Sequence, residues 1–405
     1  MMSMTVKWII MFVLSLTVTT VAFPYVLRYA LRHNIVDNPD ARKIHRSPVP
    51  VMGGVAVYAG MLAGCLAMTF LVKGASIRWS LMAMTTMLVI GVWDDIKNLS
   101  AVFRLIVQFG LVGAYMGLTG HYIHNFYGLF GIHEISLWVG IPLSLVTGVG
   151  IINAINMIDG IDGYSSGYGI TACIGFGTLF IAVGPTVWSS LAVIMAGALI
   201  PFFLHNVFGK KTKMFIGDGG TMMMGFMMTI FVLGTMSLHN APQLEAQGVG
   251  LAALSLSVLC IPVFDTVRVM TARMVRGHSP FRPDKSHLHH LFIDMGFSHF
   301  GTAITILNMN TLIMIVWFLL WKCGASINTQ TIVVMLMGFT VTFGFYKLMR
   351  WQQHSGPIGE DGRPQGTRLW KAFCEIGRRS HIEKGKVWFT LQKIVDGSWP
   401  GKQGS

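Results

Sequence analysis

Carboxylates are scarce in this chain. Its 405 residues hold 17 Asp and Glu, and charged residues of both signs make up 12%. A soluble globular domain carries roughly 25% charged residues, so an ordinary water-soluble fold is excluded. Cysteine is sparser still. Cys65, Cys173, Cys260, Cys323 and Cys374 show no metal-type spacing, and four of the five lie in or beside apolar runs. They read as small core residues, without a disulfide framework.

Apolar sequence takes up the space. Hydrophobic residues make up 53% of the chain and Met alone contributes 28, with a mean hydropathy of +0.60. Apolar runs of roughly 17–25 residues cross the hydrocarbon as helices, because lipid satisfies no backbone hydrogen bond. Such runs fall near residues 8–27, 51–72, 79–93, 102–119, 136–155, 166–184, 187–206, 219–238, 249–271, 302–321 and 328–348. The expected fold is an all-α, polytopic integral membrane helical bundle of about 11 transmembrane helices. Residues 1–349 form its membrane domain and 350–405 a tail. Pro262 in Cys-Ile-Pro-Val-Phe-Asp predicts a break in the ninth run.

Basic residues orient the bundle, since Lys and Arg concentrate in cytoplasmic loops. Eleven crossings divide the loops into two alternating sets. One holds only Lys7, Lys73, Arg78 and Lys322, which leaves the other 26 of the 30 basic residues to the opposite side. That side is assigned to the cytoplasm, with the N-terminus outside and the C-terminus cytoplasmic. A cleaved signal peptide fits poorly, because one Lys precedes the first run and five basic residues follow it. The net charge of +13 is therefore a topology signal aimed at anionic membrane lipid, and no nucleic acid partner is expected. The tail interleaves Arg and Lys with Trp351, Trp370, Trp388, Phe389 and Trp399. That pattern suits an interfacial segment, and a loosely folded extension suits it equally.

Four acidic patches sit where apolar runs stop, all on the basic side. Asp94-Asp95 end the third run; adjacent carboxylates push one pKa upward and supply a proton acceptor, although a solvated helix end needs no function. A helix starting near Ser100 puts Arg104 one turn in, within reach of a phosphate. Asn153, Asn156, Asp159 and Asp162 recur every three residues, with Gly160 and Gly163 breaking the helix into a loop. A carboxamide oxygen and carboxylates are hard donors of the kind Mg²⁺ accepts, and the same residues also serve as turn formers. Asp218 precedes the eighth run, where capping and metal ligation are compatible. Last comes Arg276 to His290, with Arg282, Asp284, His287, His289 and His290. Clustered histidines bind anions, shuttle protons or hold a transition metal, and here no Cys accompanies them.

Taken in order, these motifs resemble one known family. They are Asp-Asp after the third run, Asn-x-x-Asn-x-x-Asp-Gly-x-Asp-Gly, Gly-Asp before an apolar run, and Ser-Pro followed by Asp-x-x-His-x-His-His. As a set, together with Asp40 to His45 and Pro50 to Gly54, they look like the polyprenyl-phosphate N-acetylhexosamine-1-phosphate transferases. Leu288 interrupts the histidine run, as in the bacterial undecaprenyl-phosphate N-acetylglucosamine-1-phosphate transferase branch. The tail is longer than that family leads one to expect.

The resemblance implies transfer of a sugar 1-phosphate from a UDP-N-acetylhexosamine to undecaprenyl phosphate, with release of UMP. It implies Mg²⁺ on Asn156 and Asp218, with Mn²⁺ as a substitute. Asp94, assisted by Asp95, deprotonates or orients the lipid phosphate, while Asp159 and Asp162 shape the nucleotide end. Arg104, Arg282, His287, His289 and His290 hold phosphate or donor sugar, and Lys43 and His45 contact lipid phosphate. Pairing into a homodimer stays open. The competing class is a transporter or flippase, which places ionisable residues near the bilayer midplane. Here the runs hold almost no Asp or Glu, Asp265 being the main exception, with Arg268 three residues on as a partner.

Overall fold

A computed structural model describes residues 2–39, 47–72, 77–184, 186–282, 284–358, 364–382 and 385–397. Lys43 and His45 lie outside the described residues. The chain folds into helices α1 (Met4–Arg32), α2 (Gly53–Leu71), α3 (Arg78–Lys97), α4 (Ala101–Thr119), α5 (Leu137–Met157), α6 (Tyr164–Ala182), α7 (Val187–Phe208) and α8 (Gly217–Thr235). After these come α9 (Ala241–Ala246), α10 (Leu251–Val258), α11 (Cys260–Val275), α12 (Leu288–Asp294), α13 (His299–Lys322) and α14 (Ile327–Phe339). A π-helical turn (Thr340–Phe345) joins α14 to α15 (Tyr346–His354), and α16 (Arg368–Arg379) and α17 (Lys386–Gly397) complete the chain. Two small antiparallel pairs interrupt the helices: β1 (Val36–Asp37) with β2 (Val49–Pro50), and β3 (Asn125–Leu129) with β4 (Ile132–Glu134).

Among the described residues eight helices are long and apolar enough to cross a membrane, and α10 with α11 make a ninth if the bent pair is one span. This is a multi-pass membrane protein. Its outer surface agrees, since Phe70, Ile106, Val146 and Ile174 stand exposed on helices where lipid would cover them. Two further expected crossings fold as α3 and α8 but fall short of the same standard. Asp94, Asp95 and Lys97 crowd the end of α3, and five glycines with Asp218 dilute α8. The ninth run is broken as Pro262 predicts: α10 and α11 meet at 73°. Asn310 of α13 satisfies the freed backbone, accepting from Ile261 N at 3.0 Å and donating to Val258 O at 2.9 Å.

The bundle is organised around α8. Every residue of α8 except Asp218 is buried, against α2, α3 and α5. A helix apolar on all sides belongs inside, where neighbours cover it completely. The approach of α3 needs Gly91, because a Cβ there would sit 2.4 Å from the Gly219 Cα. This contact sets the start of α8 beside the end of α3. The helical span α14–α15 runs through the expected boundary near 350 to His354. Beyond it the tail packs back onto the bundle: Trp370 is buried, and Trp388 lies against Phe208 and Phe300. All five cysteines are free thiols.

Candidate active site

A cavity of about 590 Å³ opens where α3, α4, α5, α8 and the loop before α12 meet. Asp94, Asp95, Arg104, Asn156, Asp159, Asp162, Asp218 and His290 line it, all named from the sequence, along with Asp284. Carboxylates from five separate stretches of chain thus share one space, Asp37 included. Seven Asp line the cavity, and Arg104 is the one Arg or Lys among its described lining residues.

Each side chain is held by the local fold. Ser100 caps α4, accepting from Phe103 N at 3.2 Å, so Arg104 lies one turn inside the helix as the sequence predicts. Its Nη1 reaches Asp94 Oδ2 at 2.6 Å and Asp218 Oδ2 at 3.5 Å. Asp94 is buried, and its other oxygen accepts from Leu99 N at 2.7 Å. Asp95 faces the start of α8, where its carboxylate accepts from Asp218 N at 2.9 Å and Gly219 N at 3.3 Å. Those amides have no partner within their own helix, so Asp95 caps α8 from a neighbouring one.

Asn156 joins α5 to the same point. Its Nδ2 donates to Asp218 Oδ1 at 2.7 Å and to Thr221 Oγ1 at 2.8 Å. These bonds fix the carboxamide's orientation through both of its N–H groups. On the loop after α5, Asp159 accepts from Ser165 Oγ at 2.6 Å. Asp162 lies 2.6 Å from Lys213 Nζ and 3.1 Å from His299 Nδ1. Burial works against the Asp162 charge, yet His299 and Lys213 hold its carboxyl below the usual range.

The histidine stretch divides by depth. His290 reaches the cavity, whereas His287 and His289 are buried behind it. His287 Nδ1 lies 2.9 Å from Asp265 Oδ2, and Arg268 Nη2 lies 2.6 Å from Asp265 Oδ1. The sequence pairs Asp265 with Arg268 but does not reveal its hold on His287. His289 stacks on His287 and packs against the α5–α6 loop, where a Cβ on Gly160 would meet its Nε2 at 2.4 Å. Burial and the neighbouring His287 push His290 down to about 4, and burial with His290 and His287 holds His289 well below its ordinary value. Burial alone would raise the Asp284 carboxyl, but the Arg273 fork, at 2.9 and 3.2 Å, and Ser286 hold it well below its ordinary value. Arg282 is exposed on this loop and does not line the cavity.

Four lining residues escape the sequence reading: Asp37, Asn98, Asn206 and His299. His299 opens α13 just past the histidine motif, and its position there was the available signal. Asn206 carries no motif; it acts through backbone, accepting from Gly163 N at 2.6 Å and donating to Met214 O at 3.0 Å.

Among the described residues no three His, Cys, Asp or Glu side chains converge as a metal cluster. The donor set still fits a hard cation such as Mg²⁺, which takes one or two protein carboxylates and fills its shell with water and phosphate. Asp218 and the Asn156 oxygen offer that chemistry, and the seven carboxylates offer the negative field.

Fold and site together define a multi-pass helical membrane protein with an anionic cavity at its helix ends. The model of glycosyl transferase family 4 matches residues 77–236. An undecaprenyl-phosphate alpha-N-acetylglucosaminyl 1-phosphate transferase of Yersinia pestis is 33% identical over 290 residues, covering 69% of this chain and 75% of that protein. Its namesake from Escherichia coli K12 is 31% identical over the same shares of each chain. A probable undecaprenyl-phosphate N-acetylglucosaminyl 1-phosphate transferase of Bacillus subtilis is 29% identical over 74% of this chain and 81% of its own length. The chain belongs to the polyprenyl-phosphate N-acetylhexosamine-1-phosphate transferase family. It is a sugar-phosphate transferase.

Proposed function

We propose that this protein transfers N-acetylglucosamine 1-phosphate from UDP-N-acetylglucosamine to undecaprenyl phosphate. The products are a lipid-diphosphate sugar and UMP, and the reaction begins a cell-surface glycan such as a lipopolysaccharide O-antigen. It takes place at the cytoplasmic face of a bacterial inner membrane, with eleven crossings, the N-terminus outside and the C-terminus inside. The Lys and Arg asymmetry between loops supports that orientation, and the printed activities of the relatives support the substrates.

One observation carries the reading. Among the described residues, seven Asp and a single Arg line a cavity that must admit two phosphate-bearing anions. Two anions enter such a field only with added positive charge, and phosphoryl transfer depends chiefly on positioning and charge neutralisation. Asp218 and Asn156 are the residues that would hold Mg²⁺ (or Mn²⁺), and the ion supplies charge neutralisation on the diphosphate when bound.

The chain's own groups do the rest. An oxygen of the lipid phosphate attacks the donor phosphorus next to the sugar, and the bond from that phosphorus to the UMP oxygen breaks. Asp94 orients the lipid phosphate and takes its proton where one is present. Arg104, shared between Asp94 and Asp218, turns to the diphosphate as charge develops on it. Asp159 and Asp162 shape the nucleotide end, and His290 holds phosphate or sugar beside them. His287 and His289 act from behind, as the support that sets His290 and the Gly160 loop. Lys43 and His45 are proposed to contact the lipid phosphate, and Arg282 phosphate or the donor sugar.

Purified protein incubated with undecaprenyl phosphate, Mg²⁺ and a panel of UDP-sugars tests this by release of UMP. Turnover with UDP-N-acetylglucosamine is expected. Turnover confined to another UDP-sugar would change the donor and keep the chemistry, while release from none would remove the reading.

A further inference from the structure

The connection between α7 and α8, residues 209–216, carries Lys213, whose Nζ lies 2.6 Å from Asp162 on the cavity wall. Two groups outside the connection hold it. From the core side, Asn206 of α7 ties Met214 O to Gly163 N. From the other side comes α17, near the end of the chain. The Asp396 carboxylate accepts from Lys210 N at 3.1 Å, Lys211 N at 3.1 Å, Thr212 N at 3.3 Å and Thr212 Oγ1 at 3.2 Å. Three consecutive amides converging on one carboxylate form an anion nest, here filled by the protein's own tail.

The tail is firmly seated where it does this. Trp388, two turns before Asp396, packs on Phe208 at 4.7 Å and Phe300 at 5.4 Å between ring centroids. It also lines a second cavity of about 570 Å³, which shares Asp162 and His299 with the first and includes Lys213 in its own wall.

We infer that Asp396 is a positioning residue for the active site: by clamping the Lys210–Thr212 turn, it holds Lys213 against Asp162. The tail is then part of the catalytic machinery's support rather than an appendage. The physical link is short. Lys213 follows the clamped turn directly, and a long flexible amine keeps one rotamer only where its backbone is fixed. Asp162 depends on that amine, because its carboxylate is largely buried, one oxygen has no hydrogen-bond partner among the described residues, and beyond Lys213 it has the His299 ring nitrogen at 3.1 Å. This inference rests on reading the first cavity as a sugar-phosphate transfer site, but its test separates the two.

The pair is read without substrate by acylating lysines in full-length protein in detergent and quantifying Lys213 by peptide mass spectrometry. Asp396→Asn is expected to raise Lys213 labelling about fivefold, the change that a small shift in local stability produces. Asp396→Glu, which keeps the carboxylate, is expected to restore part of the protection. Should Asp396→Asn fail to fold, Thr212→Val removes one donor to the same carboxylate and gives a smaller rise. Turnover with UDP-N-acetylglucosamine then distinguishes positioning from general stability. Asp396→Asn is expected to lower kcat/KM about tenfold, and to have no further effect in a Lys213→Met background. Unchanged labelling, or a loss that multiplies on top of Lys213→Met, overturns the inference. A wild-type protein without any transfer activity sinks the functional reading instead, and the labelling result still decides the role of Asp396.

Discussion

Arg104 on α4 sits 2.6 Å from Asp94 of α3 and 3.5 Å from Asp218 of α8, so one guanidinium spans carboxylates from two other helices. Asp94 is buried, and removing its partner leaves a charge with little solvent. Arg104→Ala is expected to destabilise the protein by roughly 1–3 kcal/mol, reduced from the fully buried case because Arg104 is partly exposed. It is also expected to lower kcat about 100-fold or more, as loss of a charge-stabilising group does. Arg104→Lys keeps the charge without the fork, so it should recover stability better than rate. Thermal unfolding and UMP release on the same preparations check both.

Asp95 answers to two descriptions. It lines the cavity, and it caps α8 through the Asp218 and Gly219 amides. Asp95→Ala is expected to cost about 1–2 kcal/mol through the lost cap. Asp95→Asn keeps one oxygen acceptor and should cost about half of that. Melting temperature in detergent orders the three proteins as wild type, Asn, Ala. An Ala variant as stable as wild type would remove the cap.

Acid should loosen the histidine loop before it protonates Asp284 and Asp162. In an opened loop His290 takes up a proton near 6.5, while the folded residue refuses it until about 4. The unfolded state then binds more protons, so stability falls as pH drops from about 6.5 towards 4 and levels off below. Asp284 and Asp162, with depressed folded values, contribute stability that is lost only at lower pH still. Melting temperature measured from about pH 7.5 to 5 should fall, and His290→Gln should flatten that limb.

His290→Ala is expected to lower transfer about 10- to 100-fold, because its role is to hold an anion or move a proton beside the cavity. Zinc content should not change with it, since His287 is engaged by Asp265 and the three rings form no metal cluster among the described residues. Elemental analysis of both proteins checks this. Stoichiometric zinc lost with the substitution would favour a transition-metal site.

Much of the fold was legible because apolar length is a coarse and robust signal. Each expected run became a helix or a broken pair, and Pro262 marked the break. The site was legible where motif residues face the cavity directly, as Asp94, Asn156, Asp159 and Asp218 do. Asp95 was legible as a motif residue of the cavity, but its bond to α8 was not, because it depends on a contact at Gly91 and Gly219 that no local pattern encodes. The motif named His287 and His289 as holding phosphate or donor sugar; their burial behind His290 is a depth that spacing does not encode. Asp396 was invisible in the sequence, lying 184 residues from the Thr212 amide it accepts from.

The central claim is that Asp218 and Asn156 hold a divalent cation that lets two anionic substrates share this cavity. UMP release from UDP-N-acetylglucosamine, measured against Mg²⁺ concentration for wild type and Asp218→Ala, tests it most directly. The account predicts that wild-type turnover rises with Mg²⁺ and vanishes with chelator, while a folded Asp218→Ala stays near background at every concentration. Near-normal, Mg²⁺-responsive turnover by Asp218→Ala would contradict it.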